Sequence, residues 1–282
     1  MSIRIFQTIA ELRTALQTER MAGRFIGFVP TMGALHAGHA RLIETSAREC
    51  DITVVSVFVN PTQFNVQSDF DRYPRTLETD VSLSESAGAA IVFAPSNDEM
   101  YPEPLDTHVD VDRLTEHLCG AFRPGHFRGV ATVVLKLLNI VQPSRAYFGE
   151  KDAQQLAVIR RLVADLNVPV EIAAVPTVRE ADGLAMSSRN RRLPAEERRI
   201  APLLYEALLG VKKALLEGEN DAQNAKKVAF SVLENAPIRV EYLEIVDSRD
   251  LQPVQKINVP VLIAIAAWLG DTRLIDNLTY TP

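Results

Sequence analysis

The stretch Phe25-Ile26-Gly27-Phe28-Val29-Pro30-Thr31-Met32-Gly33-Ala34-Leu35-His36-Ala37-Gly38-His39 decides the fold. Residues 25–29 are short, apolar and β-prone, and after a turn of small residues Leu35, Leu42 and Ile43 recur at helical spacing. The pattern predicts strand, turn, helix. A helix start offers unpaired N–H groups and the positive end of the macrodipole, and Gly33, Ala34, Ala37 and Gly38 carry too little side chain to keep an anion away from them. On a helix, His36 and His39 face the same way, roughly 5–6 Å apart. Two imidazole donors so placed can straddle one phosphoanhydride.

Other readings of the pair stand beside this one. A His-x-x-His pair can bind zinc, but such a site needs a third and usually a fourth ligand, and no further Cys or His lies near in sequence. The two can also be polar residues on an exposed helix face; their coincidence with Gly33, Gly38 and a strand end argues for chemistry instead. The run lacks both the Gly-Lys-Ser/Thr ending of a Walker A loop and the Gly-x-Gly-x-x-Gly of a dinucleotide site, so a phosphate site here is of another kind.

Composition bounds what surrounds the turn. The 282 residues suit one large domain or two unequal ones, and 47% hydrophobic with 23% charged residues is the balance of an ordinary globular chain. Thirty Lys and Arg against 36 Asp and Glu leave a net charge of −6, which argues against a nucleic-acid partner or an anionic membrane surface. Two cysteines, Cys50 and Cys119, make no disulfide framework, and neither sits in a Cys–His setting. The N-terminal residues read as neither signal nor transit peptide, and no run reaches the roughly 18–20 apolar residues that span a bilayer. The expectation is a cytoplasmic protein without membrane partners.

Apolar strands alternate with helical patterns through the first two thirds of the chain. Strands are predicted at 25–29, 53–59, 90–94, 146–148 and 170–175, and helices at 39–49, 77–87, 132–141 and 153–166. Such alternation means a parallel sheet with helices on both faces and ligands at the carboxyl ends of the strands. After Leu193-Pro194 the character changes. Two charged amphipathic helices, 196–217 and 221–234, precede strand-like runs at 239–246 and 261–268. The chain therefore divides into an α/β domain, 1–177, and a smaller C-terminal α+β domain, 178–282, of helices and an antiparallel sheet.

Three more motifs fall at strand ends. In Val57-Phe58-Val59-Asn60-Pro61-Thr62-Gln63-Phe64, Asn60-Pro61 signals a loop that leaves the Gln63 amide near the sheet edge, able to donate and accept. In Tyr147-Phe148-Gly149-Glu150-Lys151-Asp152-Ala153-Gln154-Gln155, Lys151 places a point charge at a strand terminus, suited to a phosphate gaining negative charge. Asp152 with Gln155 has the spacing of a capping box. The run 179–190, with Gly183, Ser187, Ser188 and Arg189, can wrap phosphate oxygens or form a mobile interdomain lid.

Taken together, residues 30–39, 57–64, Tyr73-Pro74-Arg75-Thr76, Arg123-Pro124-Gly125-His126-Phe127-Arg128-Gly129, 148–155 and 178–190 resemble the pantothenate synthetase family, the AMP-forming pantoate–β-alanine ligases. The similarity runs over nearly the whole chain. The resemblance implies a Rossmann-like fold of the nucleotidyltransferases related to class I aminoacyl-tRNA synthetases, with His36-Ala37-Gly38-His39 as their His-x-Gly-His signature. It implies condensation of (R)-pantoate with β-alanine through a pantoyl adenylate, the last step in making pantothenate. By the same resemblance His36, His39 and Lys151 are catalytic, with His39 the proton donor. ATP contacts fall on Met32, Gly33, Ala34, Leu35, His36, Ala37, Gly38, His39, Gly149, Glu150, Lys151, Asp152, Val178, Met186, Ser187, Ser188 and Arg189. Gln63 binds pantoate and β-alanine, and Gln155 binds pantoate. Mg2+ accompanies ATP, Asp80 matches a carboxylate near that metal, and Thr79 stands where a second acid can occur. A homodimer is the family expectation, and the roles of Arg123 and His126 stay open between loop architecture and ligand contact. Two rivals keep the same turn: a nucleotidylyltransferase passing AMP to a phosphate-bearing acceptor, and a nucleotide sensor that releases no pyrophosphate.

Overall fold

A computed structural model describes residues 2–282. The chain forms two compact units. The first comprises the residues up to Val111, Arg123–Glu150 and Val158–Pro176. Its strands are β1 (Arg4–Phe6), β2 (Ile26–Thr31), β3 (Ile52–Val57), β4 (Ile91–Phe93), β5 (Arg145–Gly149) and β6 (Glu171–Val175), which form one sheet in the order β1-β4-β3-β2-β5-β6. Every pairing in it is parallel. Val54, Val55, Ile91, Val92 and Phe93 have no exposed surface, as strands covered on both faces require. The helices Ala37–Glu49 and Leu77–Ser86 lie on the face of Val29, Val55, Val92 and Tyr147. Helices Ile9–Met21 and His126–Val141, which pack on each other, cover the opposite face.

One local break in the ladder positions everything that follows. The β2–β3 pairing continues through Thr31, whereas the β2–β5 pairing covers only Gly27 and Phe28. Pro30, which has no N–H to give a neighbour, sits where the β5 ladder has already ended. The two central strands therefore part at their carboxyl ends, the place where parallel α/β sheets take ligands.

The second unit comprises Asp112–Phe122, Lys151–Ala157 and Thr177–Pro282. Strands β7 (Arg239–Asp247), β8 (Val261–Leu269) and β9 (Thr272–Tyr280) make an antiparallel sheet in that order. Helices Leu203–Leu216 and Ala222–Leu233 bury Leu204, Leu208, Val211, Ala225 and Ala229 in one cluster with Leu243, Ile263 and Ile265.

Several boundaries differ from the sequence reading, each for a local reason. Strands β1 and β9 were not anticipated: β1 has only three residues, and β9 carries Arg273, Asp276 and Asn277 among its apolar positions. The helix expected over 196–217 is two, Ala195–Ile200 and Leu203–Leu216, because Pro202 lacks the N–H to continue the first. The helix expected from 132 begins at His126, where Gly125 enters the left-handed region at φ 77°.

Candidate active site

Thr31 ends β2, and the turn after it folds back onto a buried carboxylate. The Thr31 hydroxyl accepts the Gly33 N–H at 3.1 Å, and Asp80 accepts the N–H groups of Ala34 and Leu35 at 3.0 and 2.8 Å. Gly33 and Ala34 both lie in the left-handed region, at φ 81° and 52°. Glycine is needed at 33 twice over, since a Cβ there would stand 2.9 Å from Asp80 Oδ2.

His36 is the N-cap of the helix Ala37–Glu49, not a member of it. Its Nδ1 accepts the Gly38 N–H at 3.1 Å, and the Nδ1 of His39 reaches back to accept the His36 N–H at 3.3 Å. The two side chains thus form a reciprocal capping box, built from imidazoles where Ser or Thr and Glu usually serve. The ring centroids are 4.1 Å apart, with the ring planes tilted by 48°. A nitrogen that accepts an N–H carries no hydrogen, so each neutral ring holds its proton on Nε2. Both Nε2–H groups are then donors.

This arrangement corrects the expectation that the turn offers open backbone amides to an anion. The amides of Gly33, Ala34, Leu35, His36 and Gly38 are already engaged within the protein. Asp80 is engaged in the same network. Expected beside a metal ion, its carboxylate is 1% exposed and takes the Ala34 and Leu35 amides and the Thr76 hydroxyl, the last at 3.2 Å. Among the described residues no group of three or more His, Cys, Asp or Glu is arranged to hold a metal ion.

Gln63 ends the short 3-10 turn Pro61–Gln63 and is buried. Its Oε1 accepts from Asn60 Nδ2 at 3.1 Å, which turns the Nε2 edge toward the sulfur of Met32 at 2.7 Å. The structure therefore joins Gln63 to Met32 of the His-containing run. Asn60, read in sequence only as a loop signal, is the hub of this corner. Its Oδ1 accepts from the Thr62 N–H, the Thr62 hydroxyl and the Tyr101 hydroxyl, and its Nδ2 also donates to the Gly129 carbonyl. Burial pushes the Tyr101 hydroxyl above its ordinary value, which keeps it a donor. His126 Nδ1 contacts the Gln63 carbonyl at 2.9 Å, and Arg123 reaches the same carbonyl while approaching His126 Nε2 at 3.2 Å. In the first unit, then, Arg123 and His126 fix the backbone beneath Gln63. The Asn60–Thr62 turn was readable from sequence; Tyr101 was not, because no local pattern marks a partner 41 residues away.

The remaining expected residues fall around the β5 terminus and in the second unit. Gly149 closes β5, Glu150 opens a 3-10 turn, and Lys151 and Asp152 follow in it with Nζ 3.7 Å from the carboxylate. Gln155 is half-buried in the helix Ala153–Asp165. Asn277 on β9 donates to the Lys151 carbonyl at 2.8 Å, and its neighbour Asp276 takes the Arg179 guanidinium in two bonds of 2.6 and 2.9 Å. One strand therefore anchors both Lys151 and the run 178–190.

That run is a hairpin fastened by several bonds. Arg179 bridges Ala185, and the Met186 N–H bonds the Val178 carbonyl at 2.9 Å, bringing two expected ligand residues side by side. Arg198 clamps Glu180 and Asp182 at 2.6 Å each, and its guanidinium holds the Asp182 carboxyl below the usual carboxylate range. Arg179 also stacks on Tyr205 at 3.6 Å. Ser187 then caps the 3-10 turn Ser188–Arg192 by accepting the Arg189 N–H, so Ser188 and Arg189 stand at a capped turn start.

The chain is similar to known proteins of one family. The profile of the family described as pantoate-beta-alanine ligase matches residues 4–279. The chain is 51% identical to the pantothenate synthetase of Acetivibrio thermocellus over 98% of its own length and 99% of that protein's. Among solved structures, pantothenate synthetase from Thermus thermophilus matches with a TM-score of 0.94 at 48% identity, covering 99% of this chain and 100% of that one. The pantoate-beta-alanine ligase of Francisella tularensis, solved with beta-gamma ATP and beta-alanine, matches with a TM-score of 0.80 at 34% identity, covering 98% of this chain and 97% of that one.

Proposed function

Because the chain belongs to the pantoate–β-alanine ligase family, we propose that its paired imidazoles serve the activation of pantoate by ATP. The overall activity is that of the family: pantoate and β-alanine are condensed to pantothenate while ATP is cleaved to AMP and pyrophosphate. A carboxylate is a poor acyl donor until one of its oxygens becomes part of a phosphate leaving group. Pantoate therefore attacks the α-phosphorus, pyrophosphate departs, and the amine of β-alanine displaces AMP from the acyl adenylate.

The observation that carries the reading is the imidazole capping box. Two Nε2–H donors, fixed by the backbone rather than by substrate, need no reorganisation as charge builds on the phosphate oxygens, which is how preorganised donors lower a barrier. His39 in this role donates a hydrogen bond from its Nε2–H to the departing pyrophosphate, which leaves as its anion, and Lys151 adds a point charge. The other ATP contacts we assign to Met32, Gly33, Ala34, Leu35, Ala37, Gly38, Gly149, Glu150, Asp152, Val178, Met186, Ser187, Ser188 and Arg189. The turn at Gly33 and Ala34 contributes shape and closeness, since its amides are engaged. Gln63 meets pantoate and β-alanine with its Nε2 edge, and Gln155 meets pantoate.

Mg2+ fits this chain as the ion that arrives with ATP, coordinated by phosphate oxygens and water, which is its usual habit at nucleotide sites. The donors around Asp80 leave that carboxylate poorly suited to hold it. We further assign the protein to the cytoplasm as a homodimer. No helix among the described residues is long and apolar enough to cross a membrane. Size-exclusion chromatography with light scattering tests the dimer. The reaction itself is tested by incubating protein with MgATP, pantoate and β-alanine: AMP, pyrophosphate and pantothenate appear together. Adenylate transfer that leaves AMP in the product, or binding without pyrophosphate, would refute the reading.

A further inference from the structure

We propose that Asp80 is a positioning residue that fills the turn after β2 with a resident carboxylate and so directs incoming phosphates to the imidazoles. This rests on the nucleotide reading given above. A glycine-containing turn that leads into a helix start is a shape that can cradle a phosphate by its amides. Here Asp80 stands in that cradle: Oδ2 takes the Ala34 N–H, Oδ1 takes the Leu35 N–H, and the hydroxyl of Thr76, the N-cap of the helix that carries Asp80, donates to Oδ2.

Two features show the turn is built around that charge. Ala34 holds φ 52°, a conformation costly for a residue with a Cβ, and in that conformation its N–H bonds Asp80. Gly33 passes so close to Asp80 Oδ2 that no side chain fits. A second anion cannot share the cradle with a buried carboxylate. Phosphates are met instead by the Nε2–H groups, and His36, two residues beyond Ala34, is held at the N-cap by the same turn. A cation role for Asp80 fits poorly. It borders a cavity of about 270 Å3 shared with Met32, Val57, Phe70 and Leu77, where among the described residues it is the only acid and Arg75 also takes part.

Asp80→Asn separates these roles, because the amide keeps the shape but must turn an NH2 group toward either the Ala34 or the Leu35 N–H. Adenylation is read as pantoate-dependent pyrophosphate exchange over an Mg2+ series, with pantoate affinity measured separately. The expected result is a loss of about 10- to 100-fold in kcat/KM for ATP, the scale for a charged acceptor lost to buried N–H donors. Pantoate affinity and the Mg2+ dependence stay where they were, a split that general loosening of the fold would not produce. Thr76→Val, which removes one donor and leaves the carboxylate, shows the same split at smaller size and serves if Asp80→Asn does not fold. Wild-type ATP kinetics in both variants, or a defect in Asp80→Asn that extra Mg2+ repairs, overturns the proposal. His39→Ala is run alongside: unchanged ATP affinity there would instead bring down the nucleotide reading itself.

Discussion

Gly129→Ala sets two physical effects against each other, and the structure says which wins. Gly129 lies inside the helix His126–Val141, where replacing glycine by alanine ordinarily adds about 1 kcal/mol of helix stability. At this position the new Cβ would stand 2.4 Å from the Thr62 carbonyl oxygen, 2.6 Å from its carbon and 2.8 Å from Gln63 Cα. Ordinary contact begins at 3.4 Å, so the two backbones must part by about 1 Å. These are main-chain atoms and cannot swing aside as a side-chain end would. Overpacking of this kind costs about 1–3 kcal/mol, which exceeds the propensity gain or at best cancels it. The displaced segment carries Gln63, and a reacting group moved by 1 Å can lose about 100-fold in rate. The expected variant therefore folds, melts no higher than wild type, and has a pantoate kcat/KM reduced by about 10- to 100-fold. ATP affinity, governed by the turn at 31–39, changes little. Thermal denaturation with initial-rate kinetics for each substrate is the assay. A higher melting temperature with wild-type pantoate kinetics would show that the helix and the Gln63 turn are not in the rigid contact described.

Three further outcomes are expected. Lys151→Ala should lower pantoate-dependent pyrophosphate exchange by about 100- to 1,000-fold in a folded protein, the usual loss for one charge-stabilising donor, and near-normal exchange refutes its role. Arg179→Met keeps apolar stacking on Tyr205 but strands the carboxylate of Asp276, which is 4% exposed, so urea unfolding should show a loss of about 3–5 kcal/mol. Replacing Asp276 by Leu in the same chain should return much of it, and no recovery would mean the pair matters by shape alone. Asp182 is held below its ordinary pKa first by its hydrogen bond to Arg198, so its contribution to the hairpin is complete above about pH 4 and disappears as pH falls through the lowered value. Hydrogen exchange in 179–190 should rise on acidification below that range, and should rise less in Arg198→Gln; equal responses refute the link.

The parallel sheet was legible because its strands are buried on both faces and read as unbroken apolar runs, and the β2 turn was legible because glycines and histidines crowd a strand end. What local pattern could not supply was the partner of each group. The His36-x-x-His39 spacing announced two neighbouring imidazoles, yet the helix was assumed to contain both, and the capping geometry that sets their tautomers depends on one ring lying outside it. Asp80 sits 46 residues from Ala34, so the carboxylate that occupies the turn amides could be seen only once the chain had folded. The attachment of Asp112–Phe122 and Lys151–Ala157 to the second unit is likewise tertiary. Gln154 shows how: its Nε2 holds the carbonyls of Leu114 and His117, while its sequence neighbourhood marks only a helix start.

The histidine capping box has a consequence for anyone who surveys variants of this chain by abundance. Ser, Thr, Asp or Asn at 36 could still hold the first turn, so such substitutions would leave expression intact while silencing turnover. Alanine at 36 would lose about 0.5–2 kcal/mol of helix anchorage as well, and would surface in both screens. Only by pairing the two readouts, residue by residue, can the scaffold duty of each ring be told from its chemistry.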